Sequence, residues 1–449
     1  MKSLSIACVM LSLASTGLAE KVTDSAAQHN WPHWRGPLAN GVAPYADPPI
    51  EWSQDSNIKW KVALPGKGSS SPIVWDNRIF ILTAIKTDRE GTAKDPPDSR
   101  DADAPPRFNP FHIERPTHYY QFVVLCFDRR GGELLWKQVA CEVVPHEGLH
   151  GDNSYASGSP TTDGRYLYVS FGSQGVYCYD MQGQLQWKRD LGDMRTRMSF
   201  GEASTPVLHD ETLIVMWDHE EQSMIYSLDA ATGETRWEQP RDEPTNWSTP
   251  LVVEQDGRWQ VVANGTNRVR SYDLESGALI WECGGQTKNA IPSPVSTAGL
   301  VFCMSNRGGN AVYAMPLDAT GDITDSDRIA WHRDQGAPYV QSPLLYGDRL
   351  YMTSSNRAIL SCLDAATGEP LINRKRLQDA RAFYASPVGA ADRIYLVGRK
   401  GTCLVLKNRP KLEVLATNKL DDPIDATPAL VGRELFLRSQ GHLYCIKQD

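Results

Sequence analysis

One run in the chain has the letters of a metal site: His146-Glu147-Gly148-Leu149-His150. In zinc proteases this spacing works because a helix sets both imidazoles on one face, with the glutamate beside a metal-bound water. Here Pro145 precedes the run, Gly148 interrupts it and Gly151 follows. A polar loop is therefore expected, with His146 and His150 kept as candidates for a loop metal site. A second set of residues is dispersed but regular: Glu202, Asn246-Trp247, Asn289, Tyr339, Phe383-Tyr384 and Asp425 each stand a few positions ahead of a Ser-Pro or Thr-Pro step. A third set is Asp218-His219-Glu220-Glu221, Arg268, Arg307, Arg357, Arg399 and Arg438, each in a short polar turn between two apolar runs. Arginine offers a rigid fork of donors to a carboxylate or phosphate, and aromatic rings offer planar ligands a stacking surface. The chemistry expected is binding of an anion. No Ser-His-Asp arrangement can be assembled, and no residue is assigned a catalytic role.

These residues make sense only through the elements that hold them. Ser/Thr-Pro opens a strand-like run eight times, at Ser71, Ser159, Thr205, Thr249, Ser293, Ser342, Ser386 and Thr427, and the prolines lie 88, 46, 44, 44, 49, 44 and 41 residues apart. Repeats of that length signal propellers or solenoids. The second half of most units carries a small residue, Asp, a Gly-containing turn and Trp, as in Cys126 to Trp136, Cys178 to Trp187, Ser227 to Trp237 and Ser271 to Trp281, while the copy near Leu406 has lost both Asp and Trp. Degenerate copies run from Ala314 to Trp331, with a longer turn, and from Cys362 to Ile372. Four short strands per unit give the blade of a propeller, and proline is tolerated at a strand's first residue, where no ladder donor is needed.

The fold expected is all-β: an eight-bladed β-propeller of four-stranded antiparallel blades. The last unit opens at Thr427-Pro428 and has room for three strands, so the Trp60-bearing segment 58–62 is expected to complete it and close the ring. Trp60, Trp136, Trp187, Trp237, Trp281 and Trp331 are too large for a hairpin to bury and are expected to dock on the neighbouring blade. The first gap of 88 is read as one blade with a Pro-rich loop insertion at 86–116, not as a ninth blade. In a blade, the turn entering the innermost strand and the turn joining the second and third strands share a face. That geometry gathers both dispersed sets at one mouth of the central channel.

The formal net charge of -8 excludes nucleic acid as the main partner. Met1 to Ala19 has a basic start, an apolar stretch and a small-residue end, the pattern of an export signal cleaved near Ala19. No later apolar run is long enough to span a bilayer. The domains expected are thus a signal at 1–19, an extension at 20–50 and one propeller over 51–449, monomeric and periplasmic or secreted. Cys126, Cys178, Cys362 and Cys445 recur where other units have Ser or Ala. They are read as small buried side chains in place of a disulfide framework.

The A/C/S-x-D-x-x-x-G-x-x-x-W repeat with its Ser/Thr-Pro strand resembles the tryptophan-docking repeat of pyrroloquinoline quinone (PQQ) propellers, over about Trp52 to Lys447. The chain looks most like the PQQ-binding-like repeat proteins of bacterial envelopes, and Trp31-Pro-His-Trp-Arg-Gly-Pro37 is similar to a segment common in that group. The group includes BamB-type propellers, which bind a protein partner, and the resemblance implies an envelope protein or a small anionic ligand as partner. Quinoprotein alcohol dehydrogenases share the ring and hold PQQ and Ca2+. Their adjacent-cysteine disulfide is absent here, and Glu202, Asn246 and Asp425 are the residues of suitable type for such a cation. The expectation is a non-catalytic binding propeller with no cofactor established, and a PQQ- and Ca-dependent dehydrogenase as the alternative.

Overall fold

The computed structural model describes residues 25–94, 111, 113–297, 299–354 and 356–448. The export signal lies outside the described residues, as does most of the Pro-rich insertion.

Among the described residues eight sheets follow one another along the chain, seven of four antiparallel strands and one with a fifth strand added in parallel. Blade one is Ile73–Trp75, Arg78–Glu90, His118–Asp128 and Leu134–Val143, in that order from the inside out. Blade eight takes Ala429–Val431, Glu434–Arg438 and His442–Lys447 from the C-terminal end, and Ile58–Ala63 as its outer strand. The ring therefore closes as the sequence implies, with Trp60 opposite Cys445. The insertion begins later than position 86, because Lys86 and Glu90 still pair with Tyr120 and His118 in a lengthened hairpin. Alternation is hard to see there: Lys86 to Glu90 is polar on both faces.

The Ser/Thr-Pro steps have a physical role beyond marking strands. The backbone N–H of each Ser or Thr donates to the hydroxyl of the next blade's Ser or Thr, from Ser71 to Ser159 and onward to Ser386 and Thr427, at 2.8 to 3.3 Å. Seven junctions are tied in this way, by buried groups that would otherwise be unsatisfied. At the eighth, between blades eight and one, the Arg438 side chain spans the gap and donates through Nη1 to the Ser70 carbonyl and hydroxyl and to the Leu82 carbonyl.

The outer repeat is equally explicable. The small residue of each unit faces the tryptophan across its own hairpin, as Cys126 faces Trp136, Cys178 faces Trp187, Ser227 faces Trp237 and Ala314 faces Trp331. Each indole then lies over the turn glycine of the following blade: a Cβ on Gly277 would sit 2.6 Å from Trp237, and one on Gly183 would sit 2.8 Å from Trp136. Those glycines also hold positive φ, so both features demand glycine. The indole N–H of Trp60, Trp136, Trp187, Trp237 and Trp331 donates to a backbone carbonyl of that same turn. Trp281 departs from the pattern. The longer turn of blade five supplies Gly321–Asp322 as a fifth strand beside Trp281, whose N–H goes instead to the Gln260 side chain.

The N-terminal extension does more than precede the ring. Trp31 pairs with Val74 of blade one, the Pro32 carbonyl accepts from Thr162 of blade two, and Gly41 and Ala43 bracket Gly389 of blade seven. Arg35 donates to the carbonyls of Pro387 and Pro343, in blades seven and six. Because the innermost strands line the channel, a segment that touches blades two and six crosses it. Residues 31–43 are a plug, with Trp31 wholly buried.

Candidate functional site

Loops fill the mouth face unevenly. The His146 loop leans over the channel, and Asp152 accepts from the Tyr384 hydroxyl at 2.9 Å and Arg399 Nη2 at 2.8 Å, more than two hundred residues away. Arg399 also donates to Asp425 at 2.7 Å and lies over the Tyr384 ring. Tyr384 and Asp425 thus belong to one bridge from the second blade's entry loop to blade seven. The pull of Arg399 and the Tyr384 hydroxyl holds the Asp152 carboxyl below its ordinary value against the opposing effect of burial.

Behind that loop lies a small pocket lined by His146, Glu147, Tyr155, Ser170, Met194 and Glu202, among others. Glu202 accepts from the Ser173 N–H at 2.8 Å and its hydroxyl at 2.5 Å, and Glu147 accepts from the Thr196 N–H and hydroxyl. Burial pushes Glu202 up to about 7, with the neighbouring Glu147 adding to the effect, and raises Glu147 too. His146 Nε2 donates to the Met194 carbonyl at 2.7 Å. His150 has other company, between the rings of Phe111 and Phe200. The two imidazoles are thus committed to different surroundings. Among the described residues no group of three His, Cys, Asp or Glu side chains stands ready to hold a metal ion.

The shifted Glu202 has a measurable consequence. A carboxyl whose folded value is raised stabilises the fold fully below about pH 4.5, and loses that contribution as pH rises through about 7. Thermal unfolding of the wild type should fall between pH 5 and 8 by an amount equivalent to roughly 1–3 kcal/mol on this account. In Glu202→Gln, which can still accept from the Ser173 N–H, that slope should flatten; an unchanged slope in the variant would mean Glu202 is ionised throughout.

The remaining mouth residues fall into separate clusters. Asp218 and Arg241 form a buried bidentate pair at 2.8 and 3.1 Å, joined by the Asn246 amide and, through Arg241, by the Tyr272 hydroxyl. His219 accepts from the Arg195 N–H and donates to the Gln222 carbonyl. Trp247 donates to the Gly201 carbonyl, and Asn289 donates to the Tyr339 hydroxyl. Arg268 is ion-paired with Asp322 at 2.8 Å and Glu282 at 3.2 Å. Arg307 and Arg357 are exposed, with no ion pair among the described residues. The five turn arginines therefore do not act as one set, because two are neutralised by carboxylates and Arg438 is buried.

A much larger concavity is a cleft of about 970 Å³ on this face, between the lengthened hairpin of blade one, the loop at 148–155 and the turns of blades seven and eight. Arg399, Asp425 and Arg438 line it, as do Lys67, Lys86 and Arg115. Pockets of this size that bring a few polar groups together are the usual seats of ligands. Sequence reasoning missed the lysines and Arg115, which stand outside the repeated turns, and, though Glu147 stood out in the His-Glu-x-x-His run, missed its partner Thr196 in the next loop.

Glu202, Asn246 and Asp425 do not converge. Glu202 opens on the small pocket, Asp425 on the cleft, and the Asn246 side chain is spent on Asp218, the Asn264 carbonyl and the Ser248 N–H. These residues do not fit a shared Ca2+ site. All eight described cysteines are free thiols.

A family model described as outer membrane protein assembly factor BamB matches residues 121–374. No curated protein matches the chain. Among solved structures, BamB from Moraxella catarrhalis shares 14% identity at a TM-score of 0.54, over 82% of this chain and 100% of that one. The quinohemoprotein alcohol dehydrogenase from Comamonas testosteroni shares 9% at 0.62, over 95% of this chain and 81% of the other. A europium-containing methanol dehydrogenase shares 9% at 0.62, over 94% and 98%. At such identities the likeness is one of fold, which proteins of different function share.

Proposed function

The chain belongs to the family described as outer membrane protein assembly factor BamB, and from that premise we propose that it is an exported, non-catalytic propeller that binds an envelope partner or ligand through its channel-mouth face. The observation that carries this is the 970 Å³ cleft on that face, opposite in character to the plugged interior. Five cationic side chains line it against three carboxylates, two of which share Arg399. A partner presenting anionic groups suits that balance. The exposed Arg307 and Arg357 extend the cationic character along the same face. Export rests on the pattern of residues 1–19.

The test uses whatever is recovered with the protein from an envelope extract under mild conditions. Arg307→Glu with Arg357→Glu should lower its recovery at least tenfold with an unchanged melting temperature; full recovery would remove these two residues from the binding face. For the dehydrogenase alternative, purified protein is incubated with PQQ and Ca2+ and assayed for dye-coupled oxidation of alcohols and sugars. Turnover that depends on Ca2+ and disappears in Asp425→Asn would sink the non-catalytic assignment.

A further inference from the structure

Among the described residues two arginines are buried without a carboxylate partner. Arg35, in the plug, uses its Nη atoms on three backbone carbonyls. Arg438 is different, because it lines the open cleft while being only 2% exposed. Its three hydrogen bonds all leave from Nη1, to the Ser70 carbonyl and hydroxyl and the Leu82 carbonyl. Nη2 makes no hydrogen bond among the described residues, and Nε is buried without a partner. Burial alone, with no compensating charge, pulls the guanidinium down to about 9.

An uncompensated buried cation is costly, and an unpaired donor beside it adds to the cost. Carbonyl oxygens supply partial charge only, so the arrangement lacks a full negative charge. Arg438 and Gly68 both line the cleft. Gly68 lies against Nη2 so closely that a Cβ there would come within 2.3 Å of it. Lys67 and Lys86, both exposed and without an ion pair among the described residues, stand on the same cleft. The carboxylates that also line it are Asp152 and Asp425, held by Arg399, and Glu114.

We propose that Arg438 forms the floor of an oxyanion subsite in this cleft, which takes a carboxylate or phosphate group on the unused Nη2 of the guanidinium, with Lys67 and Lys86 at its rim. A hydrogen bond from a guanidinium to such a group is charge-assisted and roughly twice as strong as one between neutral partners. The subsite rests on the mouth-binding function proposed above and gives it a chemical class. It also gives ligand binding a route to stability, since the same side chain ties blade eight to blade one.

Inorganic phosphate and succinate are the probes, each titrated calorimetrically and by thermal shift against sodium chloride at matched ionic strength. Saturable binding of either, with a melting point raised above the chloride control, is expected. A response to phosphate alone or succinate alone assigns the ligand class, and each supports the subsite. Arg438→Gln should weaken binding at least tenfold. Because that variant also loses blade contacts, Lys67→Glu with Lys86→Glu, at exposed positions, is expected to weaken binding three- to tenfold with the melting point of the unliganded protein unchanged. Equal responses to chloride and both oxyanions, or binding that survives the lysine reversals and Arg438→Gln alike, overturns the proposal. Oxyanion binding that persists while partner recovery fails to respond to the mouth arginines would instead reject the wider mouth-binding reading.

Discussion

Asp218→Ala should lower the unfolding free energy by about 3–5 kcal/mol, the usual loss when one member of a buried ion pair is removed. The size follows from what is left behind. Arg241 is fully buried, and both oxygens of Asp218 receive its Nε and Nη2. Without them the guanidinium keeps the Tyr272 hydroxyl, and the Asn246 amide keeps the Asn264 carbonyl. Neither supplies a full negative charge. Asp218→Asn retains one acceptor and should fall between the wild type and the alanine variant. Urea unfolding at constant pH reads the difference; a loss below about 1 kcal/mol for the alanine variant would show that Arg241 finds another anion, with Glu243 as the nearest candidate.

Trp31→Ala is the second large effect, with an expected loss of about 3–5 kcal/mol, typical of a buried tryptophan cut to alanine. Trp31 is wholly buried, its ring packs on Gly36, and its backbone pairs with Val74 in both directions. The indole N–H has no hydrogen-bond partner among the described residues, so the loss is one of packing. Trp31→Phe should therefore recover most of the stability. Limited proteolysis gives an independent reading: cleavage within 31–43 should accelerate in Trp31→Ala and stay slow in Trp31→Phe. Equal resistance in all three proteins would mean that the plug is held by its backbone and Arg35 alone.

The repeated architecture was open to sequence reading because each of its signals repeats a local physical demand. A hydroxyl must stand where the neighbouring blade's N–H arrives, a small residue must face an indole, and a glycine must lie beneath the next one. Each demand recurs within about 45 residues, so the pattern of Ser71, Cys126 and Trp136 can be recognised again in Ser159, Cys178 and Trp187. Trp281 shows where such reasoning ends. Its dock is altered by a turn some forty residues later that no property of Trp281 announces.

The mouth was less legible. The turn positions of Asp218, Asn246 and Asp425 could be inferred from chain direction, yet whether a side chain is free or spent depends on distant partners. Asp152 and Arg399 meet although 247 residues separate them along the chain. Arg438 shares a turn position with Arg307 and Arg357 but is buried at the closing junction, where blade one replaces the hydroxyl tie with Ser70 and Leu82. The plug was legible only as an aromatic-rich segment, since Trp31 to Pro37 has no strand or helix period and its contacts lie in blades one, two, six and seven.

Site-resolved photo-cross-linking in the producing cells tests the central claim most directly. A cross-linking residue is placed at Lys86 or Arg357 on the mouth face, or at the exposed Trp259, where the second strand of blade four begins on the opposite face. A discrete adduct from Lys86 and Arg357, and none from Trp259, is the predicted result. An adduct of the same partner from Trp259 alone, with none from the mouth positions, would contradict it.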